Sequence, residues 1–460
     1  MTGPRVLIVG HYASDKLGGE AAIPLHLFRR LRGRGVETWL VTHESGRDEL
    51  TASLGDDVDR VVFVRSLPGF GPLLPLGERL PVAPRALAWS VTQLERQYAM
   101  LPVVRRLVRE LRIDVVHQPI SVSPTIGSPI RRVGAPVVMG PLNGGMDLPP
   151  AFRGRDSRGD RLRKGAAPLA RRIVNRLAPG RLEAAVVLVA NERTESLLPS
   201  GLQGEVRRMS DIGVTIPAQP VPAPGVRGEE PGDGYRLCFV GRLVPLKGVD
   251  LLLRAFSEVA ADLPDAELEI VGDGPQRPEL EELAKTLGLT GQVVFRGWLD
   301  PAGCADALER CDVFVFPSLQ EAGGVAVLEA MAAGRPVIAA RWGGPAELLD
   351  DDCAILVPVD SATGAAGADS AVGAGAAGFG NGLVAAMLAL SADPARRRIL
   401  GHSARRRAGR EFDRETLVDR ALHLYEELSD SPGTWAPSSR RVTIVGTDST
   451  GRRTVSRKVT

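Results

Sequence analysis

The stretch that decides the fold runs from a buried strand through a glycine turn into a helix: Asp312-Val-Phe-Val-Phe-Pro317, then Glu321-Ala-Gly-Gly-Val-Ala-Val-Leu-Glu329. The apolar run before Pro317 predicts a strand of a parallel sheet, and Val325 to Ala333 predicts a helix. The turn therefore joins the carboxyl end of a strand to the amino end of a helix. Open α/β sheets bind ligands there, with backbone N–H groups facing anions.

Two carboxylates, Glu321 in the turn and Glu329 in the helix, have seven residues between them. A carboxylate in such a turn can accept hydrogen bonds from ligand hydroxyls, and Glu329 follows on the order of 7 Å further along the helix. Its apolar neighbours predict burial, and a buried Glu needs a partner such as a polar ligand. The alternative is that both acids are ordinary surface residues.

Composition is typical of a globular protein. The chain has 460 residues, 44% of them hydrophobic and 24% charged, and a net charge of +2 gives no general affinity for polyanions. The four cysteines have no zinc spacing and predict reduced thiols in a reducing compartment. Neither a signal peptide nor a membrane span is predicted, so we expect a cytoplasmic protein, with the inner membrane face as an alternative location.

The strand and helix pattern occurs twice and predicts an α/β protein of two Rossmann-like domains facing a central cleft. The first domain covers 1–216 and the second 217–410, and a helix at 411–429 is expected to pack back on the first. Low complexity predicts a flexible surface insertion at 361–381, and polar composition predicts a disordered tail at 431–460.

Two cations follow the first strand of the second domain. Arg242 and Lys247 lie five residues apart next to glycines, a combination that suits a diphosphate, with a solvated loop as the alternative. Further on, Gly272-Asp-Gly274 is half of a dinucleotide fingerprint, but Arg277 replaces the third glycine. This departure argues against a nicotinamide enzyme and favours a tight structural turn.

Taken together, these segments resemble the retaining GT-B glycosyltransferases with the Glu-seven-Glu motif (glycosyltransferase family 4, group 1 type). The resemblance runs from Arg5 to about Leu428 without the low-complexity segment. It rests on blocks in family order: Phe239-Val-Gly-Arg-Leu, Lys247-Gly, Gly272-Asp-Gly-Pro, Phe295-Arg-Gly, Pro317-Ser, Glu321, Glu329-Ala-Met-Ala and Gly343-Gly-Pro-Ala-Glu347.

The resemblance implies roles for four charged residues. Arg242 and Lys247 would neutralise the leaving diphosphate of a nucleotide-diphosphate sugar. Glu321 would bind hydroxyls of the donor sugar and Glu329 the nucleotide ribose. The implied reaction is retaining and metal-independent and needs no cofactor, because fixed cations and amide dipoles stabilise the leaving group.

The resemblance also implies backbone contacts at glycine positions. The amides of Gly323, Gly324 and Val325 would face the sugar and phosphate, and the backbone of Gly297 would lie near the base. In the first domain, the glycine pair Gly18 and Gly19 would close the site from the opposite side.

His117 closes the predicted strand 113–116, where the family often carries His-x-His. Pro119 occupies the second position here, so His117 is either a catalytic substitute or a structural residue. The nearby Gly140-Pro-Leu-Asn143-Gly144-Gly145 loop resembles enzymes of bacterial surface-polysaccharide pathways. Asn143 and Gly144 are therefore expected on the acceptor side.

Other charged segments have weaker interpretations. Asp57-Val-Asp59 has the form of a metal-binding D-x-D, but its place before a strand favours a surface turn, and 350–352 is expected to be a solvated loop. Residues 151–182 hold ten Arg or Lys and two Asp, a net charge of +8. This segment suits an anionic membrane surface or is a solvated basic helix, and no interleaved aromatics support nucleic acid.

The sequence therefore predicts a glycosyltransferase for a glycan or lipid-linked acceptor, in surface polysaccharide or glycoconjugate biosynthesis. An epimerase or hydrolase acting on nucleotide sugars with the same fold is one alternative. A non-catalytic partner subunit that binds nucleotide sugars is the other.

Overall fold

The computed structural model describes residues 3–16, 19–69, 82–155, 172–217, 234–359, 368–430, 444–447 and 453–456. The chain divides into two compact units. Unit 1 comprises Met1–Gly145, Arg158–Asp211 and Leu417–Thr460, and unit 2 comprises Met146–Ser157 and Ile212–Thr416.

Unit 1 is built on a largely parallel sheet in the order β15-β14-β7-β6-β5-β4-β1-β2-β3. Only β14 and β15 pair antiparallel. The strands are β1 Val6–Val9, β2 Thr38–His43, β3 Val61–Val64, β4 Val115–Gln118, β5 Val137–Leu142, β6 Val186–Val189, β7 Glu205–Arg208, β14 Ile444–Thr447 and β15 Arg453–Ser456. The helices are α1 Ala22–Gly33, α2 Arg47–Leu54, α3 Val82–Glu110, α4 Glu192–Glu195 and most of α12 Arg414–Ser429.

Unit 2 has a second parallel sheet, in the order β10-β9-β8-β11-β12-β13. Its strands are β8 Arg236–Val240, β9 Glu267–Val271, β10 Val293–Gly297, β11 Val313–Phe316, β12 Val337–Ala340 and β13 Ala354–Val357. Its helices are α5 Val249–Asp262, α6 Arg277–Thr286, α7 Pro301–Arg310, α8 Val325–Ala332, α9 Gly343–Leu348, α10 Ala368–Ala392 and α11 Pro394–Arg407. The prediction of two Rossmann-like domains is confirmed.

Strand order reverses direction once in each parallel core. In unit 1, β1 lies between β4 and β2, and in unit 2, β8 lies between β11 and β9. At such a switch point the loops after two neighbouring strands diverge and leave a crevice that binds ligands. The segments after β8 and β11 are those in which the sequence places Lys247 and Glu321.

The C-terminal helix α12 packs in the core of unit 1. Its buried residues Val418, Leu424 and Tyr425 share one hydrophobic cluster with Leu25 and Val115. An amphipathic helix that buries one face in this way is stabilised mainly by the apolar area it removes from water.

The chain crosses between the two units four times, whereas the sequence predicts two crossings. Residues 146–157 lie in unit 2, although 1–216 is predicted as one domain. Phe152 packs edge-on against Phe379 at 6.1 Å, and Arg155 pairs with Asp250 at 2.7 Å. Both partners are distant in sequence, so no local pattern indicates the crossing.

The predicted flexible insertion at 361–381 differs from the structure. Residues 360–367 lie outside the described part, but α10 begins at Ala368 and includes the rest of the segment. Alanine has the highest helix propensity, and the buried Phe379 and Leu383 anchor this helix in the core of unit 2. Four glycines of the segment, Gly373, Gly375, Gly378 and Gly380, lie on this helix.

The tail predicted to be disordered also differs at two places. Strand β14 pairs in parallel with β7, and β15 pairs with β14 at the edge of the sheet. The segments Ile444-Val-Gly-Thr447 and Arg453-Thr-Val-Ser456 are rich in β-branched residues, which fit a sheet edge. Within the described ranges, no helix combines the length and apolarity needed to cross a bilayer.

Candidate active site

Lys247 and Glu321 form an ion pair at the switch point of the unit 2 sheet. Lys247 ends a 3-10 turn, Pro245–Lys247, that follows β8, and Glu321 lies in the turn that follows β11. The Lys247 ammonium donates a hydrogen bond to Glu321 Oε2, and the two side chains are only 19% and 17% exposed. The ammonium also lies 5.2 Å from the centre of the Phe316 ring. The predicted cation and the predicted sugar-binding carboxylate are therefore in contact.

Arg242 supplies a second positive charge on the same loop. It directly follows Gly241 at the end of β8, and its side chain is exposed. Among the described residues, the Arg242 guanidinium makes no hydrogen bond or ion pair that would neutralise it. Its planar group of donors is therefore available to an anionic ligand.

The turn that carries Glu321 is braced from three sides by hydrogen bonds. The Leu319 amide donates to the Leu246 carbonyl at 2.9 Å, and the Gly344 amide donates to the Glu321 carbonyl at 2.8 Å. The Gln320 side chain donates to the Met146 carbonyl at 3.1 Å. These contacts hold the backbone of the turn that carries the Glu321 carboxylate.

The amino end of α8 follows this turn directly. Gly324 caps the helix in a left-handed conformation, φ 101°, and no side chain accepts from the first amides. The first N–H groups of a helix have no intrahelical acceptor and carry its positive end. Val325 is 45% exposed at this helix end, whereas Gly324 is buried. That the amides of Gly323, Gly324 and Val325 face an anion remains a prediction.

Glu329 lies on α8 in an unfavourable environment for a charge. Burial raises the pKa of its carboxyl above the ordinary value, and the charge of Arg414 opposes this shift only in part. The neighbours Val327, Leu328 and Ala330 are fully buried, as the sequence predicts, whereas Glu329 itself is half-buried. A carboxylate kept at such a position is suited to accept hydroxyl hydrogen bonds.

Replacing Glu329 by glutamine is expected to raise the melting temperature above neutral pH and to weaken donor binding. Because the pKa of Glu329 is higher in the native state than in the unfolded state, ionisation of its carboxyl lowers the stability of the native protein as pH rises. The neutral amide of glutamine has no such cost. The gain should shrink as pH falls and the wild-type carboxyl becomes protonated. We expect the KM for the donor to rise roughly tenfold, the loss of one charged hydrogen bond.

Thermal denaturation of both proteins between pH 4 and 9, with initial rates at varied donor concentration, measures these effects. Glu282→Gln, an exposed acid of α6, is the matched control and should change neither quantity. A Glu329→Gln variant with unaltered donor KM would remove Glu329 from the donor site.

The glycines after β9 and β10 form a tight structural turn. The Gly272 amide donates to the Gly297 carbonyl at 2.8 Å, and a Cβ on Gly272 would lie 1.9 Å from the Gly241 carbonyl oxygen. Arg277, which replaces the third glycine of the fingerprint, pairs with Asp273 at 3.2 Å and with Glu281 at 2.8 Å. The interpretation of this segment as a structural turn agrees with these contacts.

Gly297 and Trp298 lie at the carboxyl end of β10. Gly297 has φ 75°, and a Cβ there would approach the Arg277 guanidinium at 2.9 Å. Trp298 is 74% exposed, an unusual position for a large aromatic ring. Trp298 is not among the predicted site residues, and the available signal was its place directly after Phe295-Arg-Gly. Such a ring offers a stacking surface for a base.

In unit 1, Asn143 and Gly144 belong to a hydrogen-bonded loop cluster. The Asn143 side chain donates to Asp211 at 2.9 Å, and the Gly144 amide donates to Thr194 Oγ1 at 3.0 Å. Arg193 donates to the Gly144 carbonyl at 2.9 Å. These contacts give Asn143 a structural function within the loop. Its contact with an acceptor remains a prediction.

Gly18 lies outside the described residues, and Gly19 has φ 50° at the start of a short 3-10 turn. The next residue, Glu20, is not among the predicted site residues, and its carboxylate accepts from the Val122 amide at 2.7 Å. Burial and the charge of Asp211 raise the pKa of Glu20, and burial raises that of Asp211. Two acids with raised pKa values thus lie near the Asn143 loop.

His117 is tied into the core of unit 1. Its Nδ1 lies 2.5 Å from the Tyr425 hydroxyl of α12, and its Nε2 lies 2.7 Å from the Gly140 carbonyl oxygen, to which it donates. The ring is buried, and burial lowers the pKa of His117 to about 4. Both nitrogens are engaged within the unit, so the geometry favours the structural alternative.

We expect His117→Ala to lower the free energy of unfolding by about 2 kcal/mol, because it leaves two buried polar partners unsatisfied. Transfer by the folded variant should be nearly unchanged, whereas loss of a general acid or base would cost about 10²–10⁴-fold. Denaturant unfolding and initial rates test this, with Tyr425→Phe as a milder variant acting through the same contact. A folded His117→Ala protein with a catalytic loss of that size would restore the catalytic assignment.

The two acidic segments make protein contacts. Asp57 pairs with Arg32 at 2.9 Å, Asp351 pairs with Arg341 at 2.5 Å, and Asp350 pairs with Arg407. In the part of the chain that the structure describes, no group of three or more His, Cys, Asp or Glu has an arrangement suited to a metal ion.

Residues 234–371 match the family described as "Glycosyl transferases group 1". We refer to residues 234–371 as the group 1 segment. It begins two residues before β8 and contains Arg242, Lys247, Glu321 and Glu329. The match thus places every charged residue of the predicted donor site inside the group 1 segment.

Two curated relatives of this chain are glycosyltransferases. D-inositol 3-phosphate glycosyltransferase of Rhodococcus erythropolis is 43% identical over 124 residues, 25% of this chain and 28% of the relative. Lipopolysaccharide core biosynthesis glycosyltransferase LpsD of Rhizobium meliloti is 29% identical over 241 residues, 52% of this chain and 63% of the relative. The aligned regions span less than two thirds of either relative.

Solved structures extend the fold likeness beyond the group 1 segment. Sucrose-phosphate synthase of Thermosynechococcus elongatus matches with TM-score 0.59 and 20% identity, covering 92% of this chain and 99% of that chain. HepE of Anabaena, in complex with UDP and glucose, matches with TM-score 0.54 and 19% identity over 92% and 99%. At this identity the likeness shows the GT-B fold.

Proposed function

We propose that the chain is a retaining, metal-independent glycosyltransferase that uses a nucleotide-diphosphate sugar and no cofactor. The observation that carries this proposal is the ion pair between Lys247 and Glu321 at the switch point of unit 2. The exposed Arg242 and the uncapped amino end of α8 supply further positive potential there. The family of the segment supports the same reaction class.

The chemistry requires the sugar C1–O bond to the diphosphate to break while a bond from C1 to an acceptor oxygen forms. Lys247 and Arg242 stabilise the negative charge that develops on the leaving diphosphate, and the α8 amides add dipoles. Glu321 accepts hydrogen bonds from sugar hydroxyls while Lys247 holds its position. The acceptor proton passes to the departing phosphate oxygen, so no side chain needs to act as a nucleophile.

The acceptor we propose is a growing glycan or a lipid-linked precursor of a surface glycoconjugate. Relatives named for lipopolysaccharide core biosynthesis and for phosphatidyl-myo-inositol mannosyl transfer support this acceptor class. Within unit 1, we assign the acceptor contacts to Gly19, Asn143 and Gly144, which lie on loops at the carboxyl end of the sheet.

A panel of nucleotide sugars tests the proposal. The matching donor should raise the melting temperature by mass action, and product should form only with an acceptor extract. Donor turnover without acceptor would identify an epimerase or hydrolase. Donor binding without turnover in any extract would identify a partner subunit, and absence of binding to every nucleotide sugar would overturn the proposal.

We also propose that the 151–182 segment brings unit 1 to an anionic membrane surface at the inner membrane face. Most of this segment, 156–171, lies outside the described residues. Residues 172–177 are helical and expose Ile173 and Leu177 beside the cations Arg172 and Arg176. The Tyr98 hydroxyl donates to the Leu177 carbonyl at 2.5 Å and joins this face to α3.

The double variant Ile173→Ser with Leu177→Ser should lower partition onto vesicles containing anionic lipid about tenfold, because two apolar side chains lose their burial in the interface. Co-sedimentation of the full chain measures this. Ile399→Ser, which removes an exposed apolar side chain of α11, is the matched control. Equal partition of all three proteins would exclude this face as the contact.

A further inference from the structure

Arg96 of α3 is a buried cation with unmet hydrogen-bonding capacity. Its side chain is 2% exposed, and its guanidinium carbon lies 4.5 Å above the ring of Tyr12. Its Nε and NH1 groups are buried without an acceptor among the described residues. Burial lowers the pKa of Arg96, although the Tyr12 hydroxyl and the charge of Glu95 favour its charged form. Such a group is costly to bury unless an anion compensates it.

Other deeply buried arginines of the described chain contrast with Arg96. Arg181 donates to the carbonyls of Pro124 and Ile126, and Arg397 donates to those of Leu390 and Ser391. Arg335 donates to the Cys311 carbonyl at 3.1 Å. Each of these three guanidinium groups contacts a backbone oxygen, although the Nε of Arg335 and of Arg397 is also unpartnered among the described residues. The Arg96 guanidinium makes no such backbone contact within the described part of the chain.

The neighbours of Arg96 also have unused polar atoms. Within the described ranges, the Nδ1 of the buried His11 has no hydrogen-bond partner. Burial together with the charge of Arg96 lowers the pKa of His11 to about 3, so its ring is neutral. Glu95 accepts from the Leu67 amide through Oε1, at 2.5 Å, while its buried Oε2 has no donor among the residues that the structure describes. The cluster therefore requires both an acceptor for Arg96 and a donor for Glu95.

The position of this cluster is that of a ligand site. His11 and Tyr12 follow β1 directly, and β1 lies at the switch point of the unit 1 sheet between β4 and β2. His43 ends β2 and is already engaged, with its ring nitrogens 2.9 Å from Ser45 Oγ and 3.0 Å from Ser66 Oγ. The side chains of Arg96, His11 and Glu95 thus lie near the carboxyl ends of the strands, where open α/β sheets bind ligands.

We propose that Arg96, Tyr12 and His11 form a subsite for an oxyanion group, a phosphate or a carboxylate, on a hydroxyl-bearing acceptor. The oxyanion accepts from the Arg96 guanidinium, and a neighbouring hydroxyl of the same molecule donates to Glu95. A planar guanidinium stacked on an aromatic ring is well arranged for this contact. The assignment rests on the proposed function, since it makes unit 1 the acceptor side and the acceptor an acidic saccharide.

Calorimetric titration of the full chain, without donor, tests the subsite. The probes are inorganic phosphate, glucose 6-phosphate, glucuronate and glucose, at constant ionic strength. We expect binding of glucose 6-phosphate or glucuronate, and at least tenfold weaker binding by Arg96→Met. Arg397→Met is the matched control for loss of a buried arginine and should bind the probes as the wild-type chain does. Lys247→Ala should also bind them unchanged, whereas weaker binding would place the probes at the donor cations and overturn the subsite.

Arg96→Lys keeps the charge and loses the planar fork, so it serves if Arg96→Met does not fold, and it should also bind at least tenfold more weakly. Tight binding of inorganic phosphate without binding of glucose 6-phosphate or glucuronate would make the ligand a free anion. That result would overturn the assignment of the subsite to an acidic acceptor. Unchanged binding in the folded Arg96 variants, or none in the wild-type chain, would overturn the subsite. These titrations measure binding and not transfer. A chain that binds the probes but transfers no sugar would contradict the proposed function and leave the subsite intact.

Discussion

Replacing Lys247 by alanine is expected to lower kcat/KM for sugar transfer by about 10³-fold, the scale seen when one preorganised group that stabilises transition-state charge is removed. The ammonium lies beside Glu321 at the end of β8 and above the Phe316 ring, in a mostly buried environment where charges interact strongly. Steady-state rates at varied donor and acceptor concentration measure the loss, which we expect mainly in kcat.

The same substitution leaves Glu321 without its partner, and this second effect needs to be separated from the first. A carboxylate that is only 17% exposed is destabilising when unpaired. The double variant Lys247→Ala with Glu321→Gln removes the unpaired charge, so it should regain stability in thermal denaturation and remain inactive. A double variant that recovers transfer would show that Lys247 acts only by neutralising Glu321.

Lys285→Ala is the matched control for this experiment, because Lys285 is an exposed lysine of α6 whose partner Glu282 is also exposed. It should keep full activity and stability. A Lys247→Ala enzyme within threefold of the wild-type rate would remove Lys247 from the donor site, and with it the observation on which the proposed function rests.

The positions of Lys247 and Glu321 at strand ends could be predicted from the sequence, whereas the contact between their side chains could not. Placement after β8 and β11 follows from two short apolar runs, and the switch-point rule brings those loops together. The sequence could not give the ion pair itself. The residues are 74 positions apart, and the hydrogen bond from the Leu319 amide to the Leu246 carbonyl joins the two loops that carry them.

His117 shows the opposite case. A histidine at the end of a strand carries the same local signal whether it faces a ligand or a core. Its partner Tyr425 lies 308 residues away on α12, beyond the reach of any spacing argument. The segment 361–381 adds a second limit, because glycine and alanine content does not reveal that Phe379 anchors a helix in the core.

The second large effect is expected at Gly344, where valine should lower transfer at least about 10²-fold and destabilise unit 2 by about 2–3 kcal/mol. The first atom of a side chain there would lie 2.5 Å from the Gly323 carbonyl oxygen and 2.7 Å from that of Ala322. Backbone cannot move aside cheaply, so the turn from Glu321 to Gly324 must shift. Its anchor, the hydrogen bond from the Gly344 amide to the Glu321 carbonyl, would lengthen.

The activity loss should therefore exceed what the stability loss explains. Donor KM and kcat are both expected to suffer, because the Glu321 carboxylate and the amino end of α8 move together. Gly380→Ala is the matched control: Gly380 lies on α10 with open space around its Cα, so alanine should be neutral or slightly stabilising there. Rates below the melting temperature of each variant, with denaturant unfolding in parallel, separate the two effects. A stable Gly344→Val protein with normal transfer would show that the position of the Glu321 turn does not control the reaction.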